Sequence, residues 1–202
     1  FNKKFSYILF LISNLSAITS IKTMFARIIK RSPYNNMVYL ANRSFKTGSQ
    51  IPSGSVFRLT DDGPQKVSTD DLFKNKKVVL FAFPAAFTGT CANQLPSFNA
   101  KVDEFKKKGV DAVYGMSVDN VFTLKAFQKE TGADKLQLIQ DFNSELSGSV
   151  GKTFDGSGKG LGVRTTRYSL YADNGEIKQY FEEENPGTMT VTDADTLLNA
   201  MK

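Results

Sequence analysis

The sequence predicts an α/β fold in which one domain, residues 44–202, is built on a central mixed β-sheet flanked by helices. From about residue 44 onward, strand-like and helix-like apolar patterns alternate along the chain. Later, two strand-like segments flank Asp173-Asn174-Gly175, which strongly favours a β-hairpin turn. Strands joined by helices can pair in parallel, whereas a hairpin pairs antiparallel, so the two observations together predict a mixed sheet.

A buried strand and an amphipathic helix are predicted on either side of residues 84–91. Residues 77–83 are apolar after their first lysine, which is typical of a strand buried on both faces. After Cys91, apolar residues recur at helical spacing and mark one helix face: Leu95, Phe98, Val102 and Phe105. The helix is expected to end at three lysines and a glycine, residues 106–109.

The remaining elements follow in order. Residues 110–116 predict a strand, and residues 121–130 a helix that ends before Gly132. Four further regions complete the domain: a short strand at 136–139, a short helix at 143–150, hairpin strands at 168–172 and 177–181, and a terminal helix at 193–201 capped by Thr192 or Asp193.

Composition limits the chemistry. Of the 202 residues, 41% are hydrophobic and 12% aromatic, which is enough for a packed core. The single cysteine excludes an internal disulfide framework. The chain has no histidine, which excludes Cys-His pairs, Ser-His-Asp triads and histidine-containing zinc sites.

The net charge of +6 is unevenly distributed. Residues 1–60 contain nine basic residues and no acidic one, whereas residues 61–202 contain 17 basic and 20 acidic residues. Because the domain itself is mildly acidic, it lacks the basic footprint of a nucleic-acid-binding protein, and no nucleic acid is expected as a partner.

Residues 1–43 predict a leader. Lys3 and Lys4 precede a short apolar run over residues 7–18, as in a secretory signal, and residues 22–46 are basic and free of Asp and Glu, as in a transit peptide. Together they resemble the two-part leaders of proteins sent to secondary plastids such as the apicoplast, and they predict a mature form without a membrane segment. A signal anchor followed by a disordered linker is one alternative. A mitochondrial leader beginning at Met24 is another.

Three other segments predict no site. Residues 151–153 match the end of a phosphate-binding loop, but the glycine required five positions earlier is Leu146. Residues 156–162 are rich in glycine but follow a helix pattern, which favours a flexible surface connection. The acidic run at 182–184 is expected to be a solvated face.

Cys91 is predicted to lie in the first turn of a helix, directly after a buried strand. Unpaired amides and the positive end of the helix dipole favour the thiolate there, and the thiolate is the nucleophilic form. Free cysteines are also often buried as small hydrophobic residues. Position alone leaves both interpretations open.

Pro84, Thr88 and Cys91 have the spacing Pro-x-x-x-Thr-x-x-Cys, and this segment resembles the active-site signature of the peroxiredoxins. Residues 79–83 and 95–98 resemble the Prx5-type, single-cysteine branch, in which plastid-targeted antioxidant proteins of malaria parasites are especially similar. The resemblance runs from about residue 45 to the end of the chain and implies a thioredoxin-like fold.

Two positions depart from the family pattern. The family commonly has glycine where Ala85 stands and proline where Gly89 stands. Ala85 restricts the backbone and Gly89 loosens it. We expect altered loop mobility or sensitivity to overoxidation rather than loss of activity.

The resemblance also implies the roles of the site residues. The family uses an arginine on a later strand, and Arg167, which precedes an aromatic residue, matches it better than Arg164 does. Arg167 would supply a permanent positive charge to the thiolate of Cys91 and polarise the peroxide. The Thr88 hydroxyl would accept from the peroxide while donating to the thiolate, and Pro84 would keep water from the sulfur.

Backbone amides at Thr90 and Cys91 would hold the peroxide oxygens. No cofactor and no metal are implied.

The implied activity is a thiol-dependent peroxidase that reduces hydrogen peroxide and alkyl hydroperoxides through a sulfenic acid on Cys91. With one cysteine, the sulfenic acid needs an external thiol, and glutathione with glutaredoxin is the expected reductant. A homodimer through the active-site loops is expected from related proteins. A non-catalytic peroxide sensor is the alternative. A disulfide reductase is disfavoured because Gln94 stands where a second cysteine would be.

Overall fold

The computed structural model describes residues 44–201, and the predicted leader lies outside them. The strands of this part are β1 Ser55–Thr60, β2 Gly63–Ser68, β3 Lys77–Ala82, β4 Ala112–Ser117, β5 Gln137–Gln140, β6 Thr153–Asp155, β7 Val163–Thr165, β8 Tyr168–Asp173 and β9 Glu176–Glu182. The α-helices are α1 Thr69–Phe73, α2 Gly89–Lys107, α3 Val121–Glu130, α4 Glu145–Ser149 and α5 Ala194–Ala200. None of these helices is both long and apolar enough to cross a membrane.

Seven of the strands form one mixed sheet in the order β2-β1-β5-β4-β3-β8-β9. Strands β3, β4 and β5 are parallel, whereas β1 pairs antiparallel with β2 and β5, and β8 pairs antiparallel with β3 and β9. Strands β6 and β7 form a separate antiparallel ribbon. The predicted central mixed sheet flanked by helices is confirmed.

Strand β3 lies inside the sheet because it is apolar on both faces. Its residues from Val78 to Ala82 have no solvent exposure. Val79 and Phe81 pack into a core with α2, α3 and α5, whereas Val78 and Leu80 pack into a second core with α1 and α4. The chain therefore leaves β3 between two packed layers, and residues 83–88 connect its carboxyl end to α2.

Most of the predicted elements are present, with ends displaced by no more than two residues. The helix predicted at 121–130 coincides with α3, and the terminal helix α5 is capped by Asp193, whose carboxylate accepts from Thr196 N at 3.0 Å. These segments have strong periodicity or clear caps, which local sequence reports directly.

The pattern missed the N-terminal hairpin β1–β2, helix α1 and the β6–β7 ribbon. Strand β2 begins with Gly63 and Pro64 and is largely exposed, so it lacks the alternation of a half-buried strand. Residues 156–162, predicted to be a flexible surface connection, join β6 to β7, and residues 157–160 are exposed. Gly156 N donates to Gly162 O at 2.7 Å, which closes this connection into a loop.

Gly115→Ala should destabilise the sheet. A Cβ on Gly115 would lie 2.6 Å from Leu138 Cδ2 and 2.8 Å from Phe81 Cζ, and the Phe81 ring is fixed by stacking on Phe98 at 4.1 Å. Overpacking of this kind lowers the free energy of unfolding by about 1–3 kcal/mol. Urea unfolding measures it. Gly148→Ala in α4, where a Cβ meets nothing within 4 Å, is the control and should be neutral or stabilising. Equal stability of the two variants would contradict the prediction.

Candidate active site

A cavity of about 730 Å³ lies near the carboxyl end of β3. One part of its lining is the connection from β3 to α2 together with the start of α2, and it includes Pro84, Thr88 and Thr90. The other parts are segments 154–161 and 185–187, together with Arg167. The glycine-rich loop between β6 and β7 therefore belongs to the wall of this cavity, which its sequence did not indicate.

Cys91 is the third residue of α2 and is fully buried. The helix begins after Thr88, which has extended backbone angles, and Thr88 O accepts the helical bond from Ala92 N at 2.9 Å. Cys91 thus lies within the first turn, where amide groups lack partners in the helix and the helix dipole favours negative charge. The predicted position of the cysteine is confirmed.

The Arg167 guanidinium lies against the sulfur. Its Nη2 donates to Cys91 Sγ at 3.2 Å, Nη1 donates to Gln94 Oε1 at 2.5 Å, and Nε donates to Pro186 O at 3.0 Å. Arg167 as a whole is only 1% exposed to solvent. A permanent charge buried this deeply needs electron-rich partners. The partners here are two neutral oxygens and the Cys91 sulfur, which would carry a negative charge as a thiolate.

The structure separates Arg167 from Arg164, which the sequence could not do by spacing alone. Arg164 forms an ion pair with Asp119 at 2.7 Å and donates through Nε to Leu161 O at 2.6 Å. Asp119 also accepts from Ala86 N at 2.7 Å. Arg164 therefore ties the glycine-rich loop to the β3–α2 connection, and Arg167 is the arginine in contact with the cysteine.

Pro84 and Thr88 both line the cavity, as their proposed roles require. The Thr88 hydroxyl donates to Ala85 O at 2.9 Å rather than to the sulfur, so the expected hydrogen bond to Cys91 is replaced by one within the loop. The oxygen lone pairs of Thr88 remain available to accept from a ligand.

The two departures from the family pattern have different surroundings. Ala85 is buried, whereas Gly89 is the first residue of α2 and has open space where a Cβ would stand. The strained residue of the loop is instead Phe87, whose φ of 61° lies in the left-handed region that bulky side chains avoid. Its ring packs on Phe127 with centroids 5.1 Å apart.

Gln94 is a site residue that sequence reasoning missed. In the sequence it marks only the position that lacks a second cysteine, yet it is fully buried and its amide oxygen accepts from Arg167. Its nitrogen donates to Thr192 O at 3.2 Å. The available signal was spacing, since Gln94 follows Cys91 by three residues on the same helix face and is polar beside Leu95.

The acidic run at 182–184 is not a uniform solvated face, so that expectation was wrong for its middle residue. Glu183 is 4% exposed, whereas Glu184 is exposed. Burial alone would raise the pKa of the Glu183 carboxyl, but hydrogen bonds from residues 190–192 outweigh it and lower the pKa to about 2.

Within residues 44–201, no group of cysteine and carboxylate side chains is arranged to hold a metal ion. The site itself contains a buried sulfur, a guanidinium, a hydroxyl and the amides of a helix start. Such a set can stabilise a thiolate and receive a small polar ligand with two oxygens.

Comparison with known proteins identifies relatives of this arrangement. The family model described as Redoxin matches residues 46–198. The chain is 38% identical over 147 residues to the mitochondrial peroxiredoxin-2F of Arabidopsis thaliana, covering 70% of this chain and 73% of that protein. It is 35% identical over 164 residues to the chloroplastic peroxiredoxin-2E of the same plant, covering 78% of this chain and 70% of that protein.

Solved structures of peroxiredoxins also resemble this chain. Reduced Prx3 of Vibrio vulnificus in complex with H2O2 has a TM-score of 0.74 and 32% identity, covering 78% of this chain and 99% of that one. The antioxidant protein of Plasmodium falciparum, a 1-Cys peroxiredoxin, has a TM-score of 0.67 and 26% identity, covering 77% and 95%. The predicted thioredoxin-like fold is confirmed, and the resemblance to the malaria protein is moderate rather than especially close.

Acid should remove the stabilisation that Glu183 provides. Because its carboxyl has a pKa of about 2 in the folded chain and an ordinary value of 4.5, this stabilisation is complete above about pH 4.5 and is lost as the pH falls towards 2. Urea unfolding of the wild type and of Glu183→Gln from neutral pH downward measures it. The stability difference between them should shrink below about pH 4.5. Glu184→Gln changes the exposed neighbour and should match the wild type at every pH. A stability difference between wild type and Glu183→Gln that does not change with pH would contradict the low pKa of Glu183.

Proposed function

Because this chain belongs to the peroxiredoxin family and is thus a thiol peroxidase, we propose that it is a single-cysteine, Prx5-type member whose peroxidatic nucleophile is Cys91. The substrates proposed are hydrogen peroxide and alkyl hydroperoxides. The observation that carries the proposal is the 3.2 Å contact between Arg167 Nη2 and Cys91 Sγ in the first turn of α2. A guanidinium at this distance stabilises the thiolate, which is the reactive form.

In the proposed step, the thiolate sulfur of Cys91 attacks one peroxide oxygen in line with the O–O bond. The S–O bond forms as the O–O bond breaks, so sulfur is oxidised to sulfenic acid and the peroxide is reduced. The departing oxygen takes up a proton and leaves as water or an alcohol. Arg167 stabilises the negative charge that moves from sulfur to this oxygen.

The other site residues position the peroxide. Thr88 accepts a hydrogen bond from it, while the amides of Thr90 and Cys91 donate to its oxygens as charge develops. Pro84 lines the cavity and has no N–H, so it offers no donor to a competing water. The Arg167 side chain, held by three hydrogen bonds, is already oriented before the peroxide arrives.

The sulfenic acid requires a reductant from outside the chain. Cys91 is the single cysteine among 202 residues, so no second thiol of the same chain can form a resolving disulfide. We propose glutathione with glutaredoxin as this reductant. When the external thiol is scarce, a second peroxide converts the sulfenic acid to sulfinic acid, which ends turnover.

We further propose a homodimer that buries the active-site loops. Phe87, in the β3–α2 connection, is 58% exposed and Phe122, at the start of α3, is 62% exposed. Large apolar rings exposed beside an active site are typical of a partner surface. No nucleic acid is proposed as a partner.

Residues 1–43 are proposed to be a cleaved leader that delivers the domain, residues 44–202, to a plastid. The sequence pattern of the leader supports this destination, and so does the similarity to a chloroplastic peroxiredoxin. The mitochondrion is the alternative, since a mitochondrial peroxiredoxin is about equally similar.

Cys91→Ser should abolish peroxide consumption, because a hydroxyl at this position is not ionised at neutral pH. Wild-type protein with glutathione and glutaredoxin should consume hydrogen peroxide continuously, whereas without thiol it should consume no more than about two equivalents, one for the sulfenic and one for the sulfinic acid. Mass spectrometry after one equivalent should show sulfenic acid at Cys91, and a glutathione adduct when glutathione is added. Turnover by Cys91→Ser would refute the nucleophile. A wild type limited to about two equivalents with every thiol donor would indicate the peroxide sensor instead.

Arg167→Ala should slow the alkylation of Cys91 by iodoacetamide at neutral pH by about tenfold or more, because one charge-assisted hydrogen bond to the thiolate is lost. The rate constant for peroxide consumption should fall at least as much. Arg58→Ala is the control, since Arg58 lies on β1 and donates to Gln65. An Arg167→Ala rate equal to that of the control would show that the guanidinium does not activate the sulfur.

A further inference from the structure

The carboxylate of Glu183 is surrounded by the chain that follows it. It accepts five hydrogen bonds of 2.7–3.0 Å, three from backbone amides and two from hydroxyls: Thr190 N and Oγ1, Val191 N, and Thr192 N and Oγ1. The Thr188 hydroxyl lies 3.1 Å from the same carboxylate but makes its shorter contact, 2.8 Å, with Asn185 O. A buried carboxylate is stable only with such donors, and buried amides likewise need an acceptor. Residues 184–192 are therefore folded around Glu183 as one loop, here called the Glu183 loop.

The Glu183 loop supplies two of the groups that orient Arg167. Pro186 O accepts from Arg167 Nε at 3.0 Å. Thr192 O accepts from the Gln94 amide nitrogen at 3.2 Å, which turns the amide oxygen of Gln94 towards Arg167 Nη1 at 2.5 Å. Two edges of the guanidinium are thus fixed, one directly and one through Gln94, and its third nitrogen faces the sulfur.

The backbone and helix α2 add two further connections. Glu183 N donates to Arg167 O at 3.0 Å. This bond joins the residue that follows β9 to the residue that precedes β8. Thr90 Oγ1 donates to Gly187 O at 2.7 Å, which joins the loop to the turn that contains Cys91. Both partners of the arginine–sulfur contact are therefore connected to the loop that Glu183 organises.

We propose that Glu183 is a positioning residue for the peroxidase reaction, acting through its loop to hold the Arg167 guanidinium against the sulfur of Cys91. The inference rests on the roles proposed above for Cys91 and Arg167. Without the carboxylate, the donors at 190–192 lose their acceptor and turn to water. Pro186 O and Thr192 O then lose their fixed positions, and Arg167 Nη2 spends less time within hydrogen-bonding distance of the sulfur.

Glu183→Ala tests the proposal, with Glu184→Ala as the matched control on the exposed neighbour. Two rate constants are measured at neutral pH on variants with native circular dichroism: alkylation of Cys91 by iodoacetamide and consumption of hydrogen peroxide. We expect both to fall by about tenfold in Glu183→Ala, as for the loss of a charge-assisted hydrogen bond to the sulfur, and to stay within about twofold of wild type in Glu184→Ala.

A double-mutant cycle separates positioning from a general loss of structure. If Glu183 acts through Arg167, the Glu183→Ala change should slow neither reaction further in an Arg167→Ala background. An equal fall in both backgrounds would overturn the proposal, because it would show an effect that bypasses the guanidinium. Glu183→Gln keeps one carbonyl oxygen and should give intermediate rates, and it replaces Glu183→Ala in both measurements if that variant does not fold.

The outcomes distinguish this inference from the proposed function. Wild-type rates in folded Glu183→Ala, or in Glu183→Gln where that variant stands in for it, overturn the positioning role alone, provided that Cys91→Ser is inactive and Arg167→Ala is slow. Peroxide turnover by Cys91→Ser, or wild-type alkylation in Arg167→Ala, overturns the proposed function and the positioning role with it.

Discussion

The buried guanidinium of Arg167 is the constraint around which the site is arranged. A charge that cannot be neutralised by losing a proton is stable in the interior only when acceptors meet its donors. Helix α2 provides Cys91 and Gln94, and the segment after β9 provides Pro186. Elements distant in sequence are thus brought to one point, and the electron-rich sulfur is one of the groups that make the burial of this arginine favourable.

The sheet explains why these elements meet. Strand β3 lies between β4 and β8 and pairs antiparallel with β8. The connection that leads from the end of β3 to Cys91 therefore lies at the same end of the sheet as the start of β8. Ala82, at the end of β3, pairs with Tyr168, the residue that follows Arg167. This register places the arginine beside the turn that begins α2. The β3–β8 pairing and the apolar residues that stabilise it therefore determine the distance between the charge and the nucleophile.

Local sequence predicted much of the fold, and the resemblance to the peroxiredoxins named Pro84, Thr88, Cys91 and Arg167, which the structure brings to one cavity or its immediate wall. Periodicity, caps and a short motif report on neighbours within a few residues. The contacts of Gln94 with Arg167 and Thr192 join residues 73 and 98 positions apart, and the charge of Glu183 gave no sign of its burial. Hydrogen bonds between residues so far apart in sequence leave no local pattern, and for this reason the sequence did not predict the roles of Gln94 and Glu183.

Gly89 shows a consequence that is thermodynamic rather than geometric. It stands at the first position of α2 without a left-handed φ and with open space around its missing side chain, so the folded site makes no use of its freedom. That freedom is expressed only when the helix start melts, where glycine gains more chain entropy than any other residue. The equilibrium is thereby shifted towards a locally opened turn. Replacing Gly89 with alanine would lower the entropy of that opened turn and so favour the helix start in which Cys91 is buried.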